Sequence, residues 1–118
     1  MADDASNSEI IIYETDDGKP QISVRVENET VWLTQAQLVE LFHSSKANVS
    51  EHIKHIFEEG ELEPNSVVRK FRTTAADGKN YNIEHYDLDM IISLGYRIKS
   101  SIATHFRRWA TVRLREYI

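Results

Sequence analysis

The chain has 118 residues, with 14 Lys and Arg against 19 Asp and Glu, for a formal charge of −5. That length fits one domain with a single core, and an apolar content of 41% argues against disorder. The absence of cysteine excludes disulfides, zinc fingers and thiol catalysis, and the net sign excludes a uniformly basic coat for phosphate backbones.

The average charge hides a split. Residues 1–64 hold 4 basic and 14 acidic side chains, whereas residues 65–118 hold 10 and 5. Such asymmetry leaves room for a module that meets a polyanion with one face. Met1-Ala2-Asp3-Asp4 is unlike the basic, then apolar, start of a secretion signal, and no apolar run nears the ~20 residues that cross a bilayer. A soluble, cytoplasmic protein is expected.

Residues 1–8 are small and polar and are expected to form a disordered tail, with one domain over residues 9–118. Glu9 to Thr15 reads as a strand with three consecutive isoleucines. Asp16-Asp17-Gly18-Lys19 supplies a turn, and Pro20 suits the start of the next strand. Ile22, Val24 and Val26 alternate with Ser23 and Arg25, as in a half-buried strand. Glu27-Asn28-Glu29 is a second turn, and Thr30 to Leu33 a third strand.

The period then changes. Thr34 caps a helix with apolar Ala36, Leu38, Val39, Leu41 and Phe42, and Gln37 sits where a capping box needs it. His43-Ser44 breaks the pattern. Ser44 or Ser45 caps a second helix that runs to about Glu59, with core positions Val49, Ile53, Ile56 and Phe57. Gly60 stops it against the unfavourable Glu58-Glu59 pair. After Pro64, Val67–Thr74 and Lys79–Tyr86 flank Ala75-Ala76-Asp77-Gly78, a hairpin signal. Asp87 caps a short helix from Leu88 to about Tyr96. A last helix runs from about Ser100 or Ser101, placing Ile102, Phe106, Trp109, Ala110, Leu114 and Tyr117 at helical spacing. The apolar, uncapped end at Tyr117-Ile118 makes this the expected N-terminal part of a longer protein.

Two short helices joined by a tight turn and followed by a hairpin describe a winged helix-turn-helix. The expected fold is therefore α+β: a three-stranded N-terminal antiparallel meander, a winged helix-turn-helix with the β-hairpin as wing, and two C-terminal helices. On a wheel at about 100° per residue, the side of the second helix opposite its core shows Ala47, Asn48, Glu51, Lys54, His55 and Glu58. Residues near the start of such a helix reach bases in the major groove: here Ser45, Lys46, Ala47, Asn48 and Glu51. Asn pairs with adenine edges and Glu accepts from cytosine N4, while Ser44 and Lys46 suit phosphates. Arg69, Lys70, Arg72 and Lys79 on the hairpin are the expected backbone contacts.

At these residues the sequence resembles the bacterial virulence RhuM family. The runs that carry the resemblance are Thr30 to Leu38, Asn48 to Leu62, Thr74 to Lys79, Tyr86 to Arg97 and Phe106 to Thr111, and it covers roughly residues 9–118. The last two runs are also similar to the N-terminal, DNA-binding domains of phage antirepressors of the Bro-N and KilA-N type. The resemblance implies a longer protein, often encoded in mobile or pathogenicity-island DNA, without a settled biochemical activity.

Other readings compete with a DNA role. Glu51 places a carboxylate in the middle of the proposed reading face: either it reads a base or pairs with Lys54 or Lys46, or the face is simply solvated or meets a protein. His43, His52 and His55 with Glu51 and Glu58 lack the arrangement of a metal site and read as surface or packing histidines. His85-Tyr86-Asp87 with Asp89 invites a catalytic reading, but Asp87 is better explained as a cap. With no phosphate loop or nucleophile elbow, no enzyme and no cofactor are expected. Trp32 and Trp109 read as core. Three roles stand for Arg97, Lys99, Arg107, Arg108, Arg113 and Arg115: gripping DNA, pairing with the acidic first half, or binding a membrane surface or nucleotide.

The expected function is sequence-selective binding of double-stranded DNA, as a transcriptional regulator or mobile-element control protein. The alternative is a protein-interaction or oligomerisation module, motivated by the apolar Leu114, Tyr117 and Ile118. A homodimer would satisfy both, since paired modules match palindromic sites.

Overall fold

Five antiparallel strands form one sheet in the computed structural model, which describes residues 8–14, 21–74 and 76–116. The strands are β1 (Glu9–Glu14), β2 (Gln21–Glu27), β3 (Thr30–Thr34), β4 (Val68–Thr74) and β5 (Asn80–Asp87), in spatial order β1-β2-β3-β5-β4. The helices are α1 (Gln35–Phe42), α2 (Lys46–Glu58), the four-residue α3 (Pro64–Val67), α4 (Leu88–Ile98) and α5 (Ile102–Arg115). Residues 1–7 of the expected tail, the turn at Asp16-Asp17-Gly18-Lys19, Pro20 and the apolar end Tyr117-Ile118 lie outside the described residues. Ser8 is described, and its hydroxyl donates to the Glu27 carboxylate.

The expected meander is present as β1-β2-β3, but it is not separate from the hairpin. β5 pairs with β3 through Trp32↔Asp87, Leu33↔Tyr86 and Thr34↔His85, so all five strands share one ladder. The far half of the hairpin, Lys70–Thr74 with Asn80–Glu84, continues beyond the end of β3, where the chain turns into α1. Between β2 and β3, Asn28 (φ 56°) and Glu29 (φ 62°) both take left-handed backbone between the paired Glu27 and Thr30. That two-residue turn matches the twist of the strands it joins.

Local chemistry sets the helix ends. Thr34 Oγ1 accepts from Gln37 N–H at 3.1 Å, and Gln37 Oε1 accepts from Thr34 N–H at 2.9 Å, which closes the capping box on α1. Ser45 caps α2 by accepting from Asn48 N–H at 3.0 Å, and Asp87 caps α4 through Met90 N–H at 3.2 Å. Gly60 (φ 75°) ends α2: its N–H donates to Phe57 O at 3.1 Å, and Glu61 N–H donates to Ile56 O at 3.0 Å. These bonds satisfy carbonyls that the end of a helix otherwise leaves unpaired.

The helices cover one face of the sheet. Val24, Val31 and Leu33 from the strands meet Leu38 and Leu41 of α1, Val49 and Ile56 of α2, Met90, Ile91 and Leu94 of α4, and Phe106 of α5, all fully buried. Tyr13 stacks edge-on against Phe106 and Trp109, each at 5.0 Å between centroids. Gly95 of α4 lets α5 approach closely, since a Cβ there would lie 2.2 Å from Ala103 Cβ.

Trp32 is buried as expected, but on the opposite face of the sheet. There it packs edge-on against Phe71 (5.5 Å), and Phe71 meets His85 (5.0 Å). Arg25 and Arg69 cover the Phe71 ring at 4.5 and 5.1 Å. This small cluster seals the outer face of the sheet where no helix lies.

Candidate nucleic-acid interface

The periodicity of α2 divides the helix sharply. Val49, Ile53 and Ile56 are buried, while Lys46, Ala47, Asn48, Ser50, Glu51, Lys54 and Glu58 are exposed. The exposed side therefore runs unbroken from the helix start, as the wheel predicts. His52 and His55 lie at its margins, half-buried.

The expected reading residues are not all free to read. Asn48 Nδ2 donates to Ser44 Oγ at 2.8 Å while its own N–H is held by Ser45 Oγ. A bidentate contact between Asn48 and an adenine therefore requires release of the Ser44 bond. Glu51 pairs with His55 at 3.2 Å and with neither Lys54 nor Lys46. An i, i+4 spacing stacks His55 directly over Glu51.

Strand alternation separates the hairpin cations. Arg69 shares the outer face with Phe71, and its Nη1 lies 3.0 Å from Glu27 Oε2, a carboxylate only 5% exposed. Arg69 thus closes the outer cluster and stands apart from its neighbours. Lys70 and Arg72 lie on the other face, opposite Glu84 and Asn82, and both are exposed. Asn82 and Glu84 line a groove of about 750 Å³, whose other wall is the cap residue Thr34, Gln35, Ala36 and Val39 of α1, and Lys46 at the start of α2. One groove therefore brings together the start of α2 and the free half of the hairpin. Lys79 sits past the turn, where its N–H donates to Asp77 Oδ1 at 2.9 Å and Gly78 takes φ 82°.

Among the described residues, Lys46, Lys54, Lys70, Arg72 and Lys79 form no ion pair within 4.0 Å. Several acids are engaged elsewhere. Arg97 of α4 reaches Glu59 at 2.5 Å and Glu61 at 2.8 Å, past the end of α2, and Ser93 donates to Glu61 as well. The Arg97 hydrogen bond holds the Glu59 carboxyl below the ordinary range. For Glu61 the Ser93 hydroxyl lowers it first and Arg97 second. Arg113 pairs with Glu116 at 3.2 Å. Of the three roles open to the C-terminal cations, pairing with the acidic first half holds for Arg97. Lys99, Arg107, Arg108 and Arg115 stay exposed.

Burial perturbs two groups near the end of β5, where it pairs with β3. It raises the Asp87 carboxyl to about 6 and lowers the His85 imidazole. His85 Nδ1 lies 2.9 Å from Ile83 O, so this nitrogen carries the proton of a neutral ring. Asp87 acts as the cap of α4. Among the described residues, no group of three or more His, Asp or Glu is placed to hold a metal ion, and no helix is long and apolar enough to cross a membrane.

Residues 66–118 match the Virulence protein RhuM family. Over this stretch the chain is similar to that family. The RhuM stretch runs from the end of α3 through the hairpin, α4 and α5; α1 and α2 precede it. It is narrower than the residues 9–118 expected from sequence, and it says nothing of the likeness to phage antirepressors. No curated protein and no solved structure matches the chain.

The groove-lining Asn82 and Glu84 and the outer-face pair Arg25 and Phe71 were not singled out from sequence. The signal was present: alternation along Val68–Thr74 assigns Arg69 and Phe71 to one face and Lys70 and Arg72 to the other.

Proposed function

We propose that this domain binds double-stranded DNA as a winged helix-turn-helix, with α2 in the major groove and the free half of the hairpin against the backbone. The observation that carries this reading is a set of cations that form no ion pair among the described residues: Lys46 and Lys54 on α2, Lys70 and Arg72 on the groove side of the hairpin, and Lys79 past its turn. A net charge of −5 does not oppose it, because the charge is uneven along the chain: residues 65–118, which include the hairpin, hold 10 basic side chains against 5 acidic ones. Exposed lysine and arginine without internal partners are what displace the counterions condensed on phosphates. Ala47, Ser50 and Glu51 face outward in the first turns of α2, where base edges are read. Ser44, Ser45 and Asn48 then serve first to hold that helix start in place.

On this reading the domain supplies sequence-selective DNA recognition to a transcriptional regulator or mobile-element control protein. Arg69 supports the hairpin and does not touch the backbone. The test is a fluorescence anisotropy titration of a labelled duplex at two salt concentrations, with random and genomic sequences. Salt-sensitive binding weakened by Lys46→Ala supports the reading, and no binding at low salt overturns it.

A further inference from the structure

The two edges of the sheet are built differently. β4 carries Arg69, Lys70 and Arg72, and cations along an edge discourage pairing with another chain. β1, at the opposite edge, reads Glu9-Ile10-Ile11-Ile12-Tyr13-Glu14, without Lys, Arg, Pro or Gly. β2 occupies one side of β1, and no described strand pairs with the other. Ile10 and Ile12 pair in register with Arg25 and Ser23, so they lie on the face away from the helices, where they are 54% and 52% exposed. Along Glu9–Glu14 this edge lacks the cations that the other edge carries.

We propose that β1 is a self-association edge, on which a second copy of this chain lays its own β1 antiparallel, continuing one sheet through both protomers. Side chains directly opposite in an antiparallel pair share a face. Across a two-fold axis, even positions therefore meet even positions and odd meet odd. Centring the pair on Ile11 sets Ile11 against its own copy and Ile10 against the partner's Ile12. It also sets Tyr13 against the partner's Glu9, and Glu14 against the partner's Ser8. No carboxylate then faces another carboxylate, and the exposed isoleucines face one another.

The alternatives are worse. Centring on Ile12 sets Ile10 against Glu14, and centring on Ile10 sets Ile11 against Glu9. Parallel pairing in register stacks Glu9 on Glu9 and Glu14 on Glu14, and like charges directly opposite are unfavourable. The charge pattern of β1 thus selects one self-complementary register. The proposal does not rest on the DNA reading, because it uses none of the same residues.

Sedimentation equilibrium of the 118-residue chain tests it. A dimer is expected at tens of micromolar, and the I10K/I12K variant is expected to be monomeric with an unchanged far-UV spectrum, since both positions are exposed. The chain has no cysteine, so introduced cysteines report the register directly. A mixture of the I10C and I12C proteins is expected to cross-link between the two several-fold faster than either cross-links with itself. A monomer throughout that range, a dimer that I10K/I12K leaves intact, or cross-linking without preference for the mixed pair would overturn the proposal.

Discussion

Glu51 Oε2 lies 3.2 Å from His55 Nε2, one turn along the exposed side of α2. The pairing holds the carboxylate on the face proposed to meet DNA without neutralising Lys46 or Lys54. Replacing it separates repulsion from recognition. Glu51→Ala is expected to tighten binding to random duplex and to narrow the gap between preferred and random sequence by about 1–3 kcal/mol, the usual worth of one base contact. Competition anisotropy with the two duplexes measures both quantities. Equal tightening on every sequence would remove the base-reading role.

Arg97 ties the end of α2 to α4 through Glu59 and Glu61. Both carboxyls sit below their ordinary value of 4.5 in the folded chain. A carboxylate with a lowered folded pKa adds stability above its unfolded value, and the contribution is lost as the pH falls through the lowered one. Urea midpoints of the parent and Arg97→Ala are therefore expected to differ at neutral pH and to converge in acid. The gap should also shrink in high salt, because the groups are near the surface. A gap that persists unchanged in acid would contradict the assignment.

Asp87 has the opposite sign. Burial raises its carboxyl from 3.8 to about 6, so the folded chain holds the proton more tightly than the unfolded one. Stability from this group falls as the pH rises between about 4 and 6, by an amount on the order of 3 kcal/mol. Asp87→Asn keeps a capping side chain and removes the titration, so its stability profile is expected to be flatter over that window. His85, lowered by burial, contributes an opposite slope in both proteins, and the difference between them isolates Asp87. An NMR titration that places the Asp87 midpoint near 3.8 would refute this account.

The α4–α5 contact has no room for a methyl group at Gly95. Gly95→Ala is expected to destabilise the domain by about 1–3 kcal/mol, as overpacking of a filled core does. Adding Ala103→Gly should restore part of the loss in thermal melts. Full stability of the single variant would mean that the helices separate freely.

Elements held by local chemistry were legible in the sequence. Thr34 with Gln37, Ser45, Asp87 and Gly60 mark helix ends by side-chain and backbone preferences that act within a few residues. The exposed side of α2 follows from the spacing of Val49, Ile53 and Ile56. The β3–β5 ladder was not legible, because nothing local tells Leu33 that its neighbour is Tyr86, far along the chain. The helix at Pro64–Val67 is too short to show a period. Within the site, Arg69 illustrates the difference between a composition argument and a register argument. It adds to the basic count of the hairpin, yet alternation turns it onto Phe71 and Glu27.

That contrast provides the most direct test of the central claim, that DNA lies on the α2 and groove side of the domain. The salt dependence of binding should be measured for the parent chain, Lys70→Ala, Arg72→Ala and Arg69→Ala, on one duplex. Each phosphate contact contributes about 0.9 to the log–log slope. Lys70→Ala and Arg72→Ala are expected to reduce the slope by roughly that amount each. Arg69→Ala is expected to leave the slope unchanged while lowering thermal stability. A slope that falls with Arg69→Ala and holds with Arg72→Ala would place the DNA on the outer face of the sheet and contradict the account.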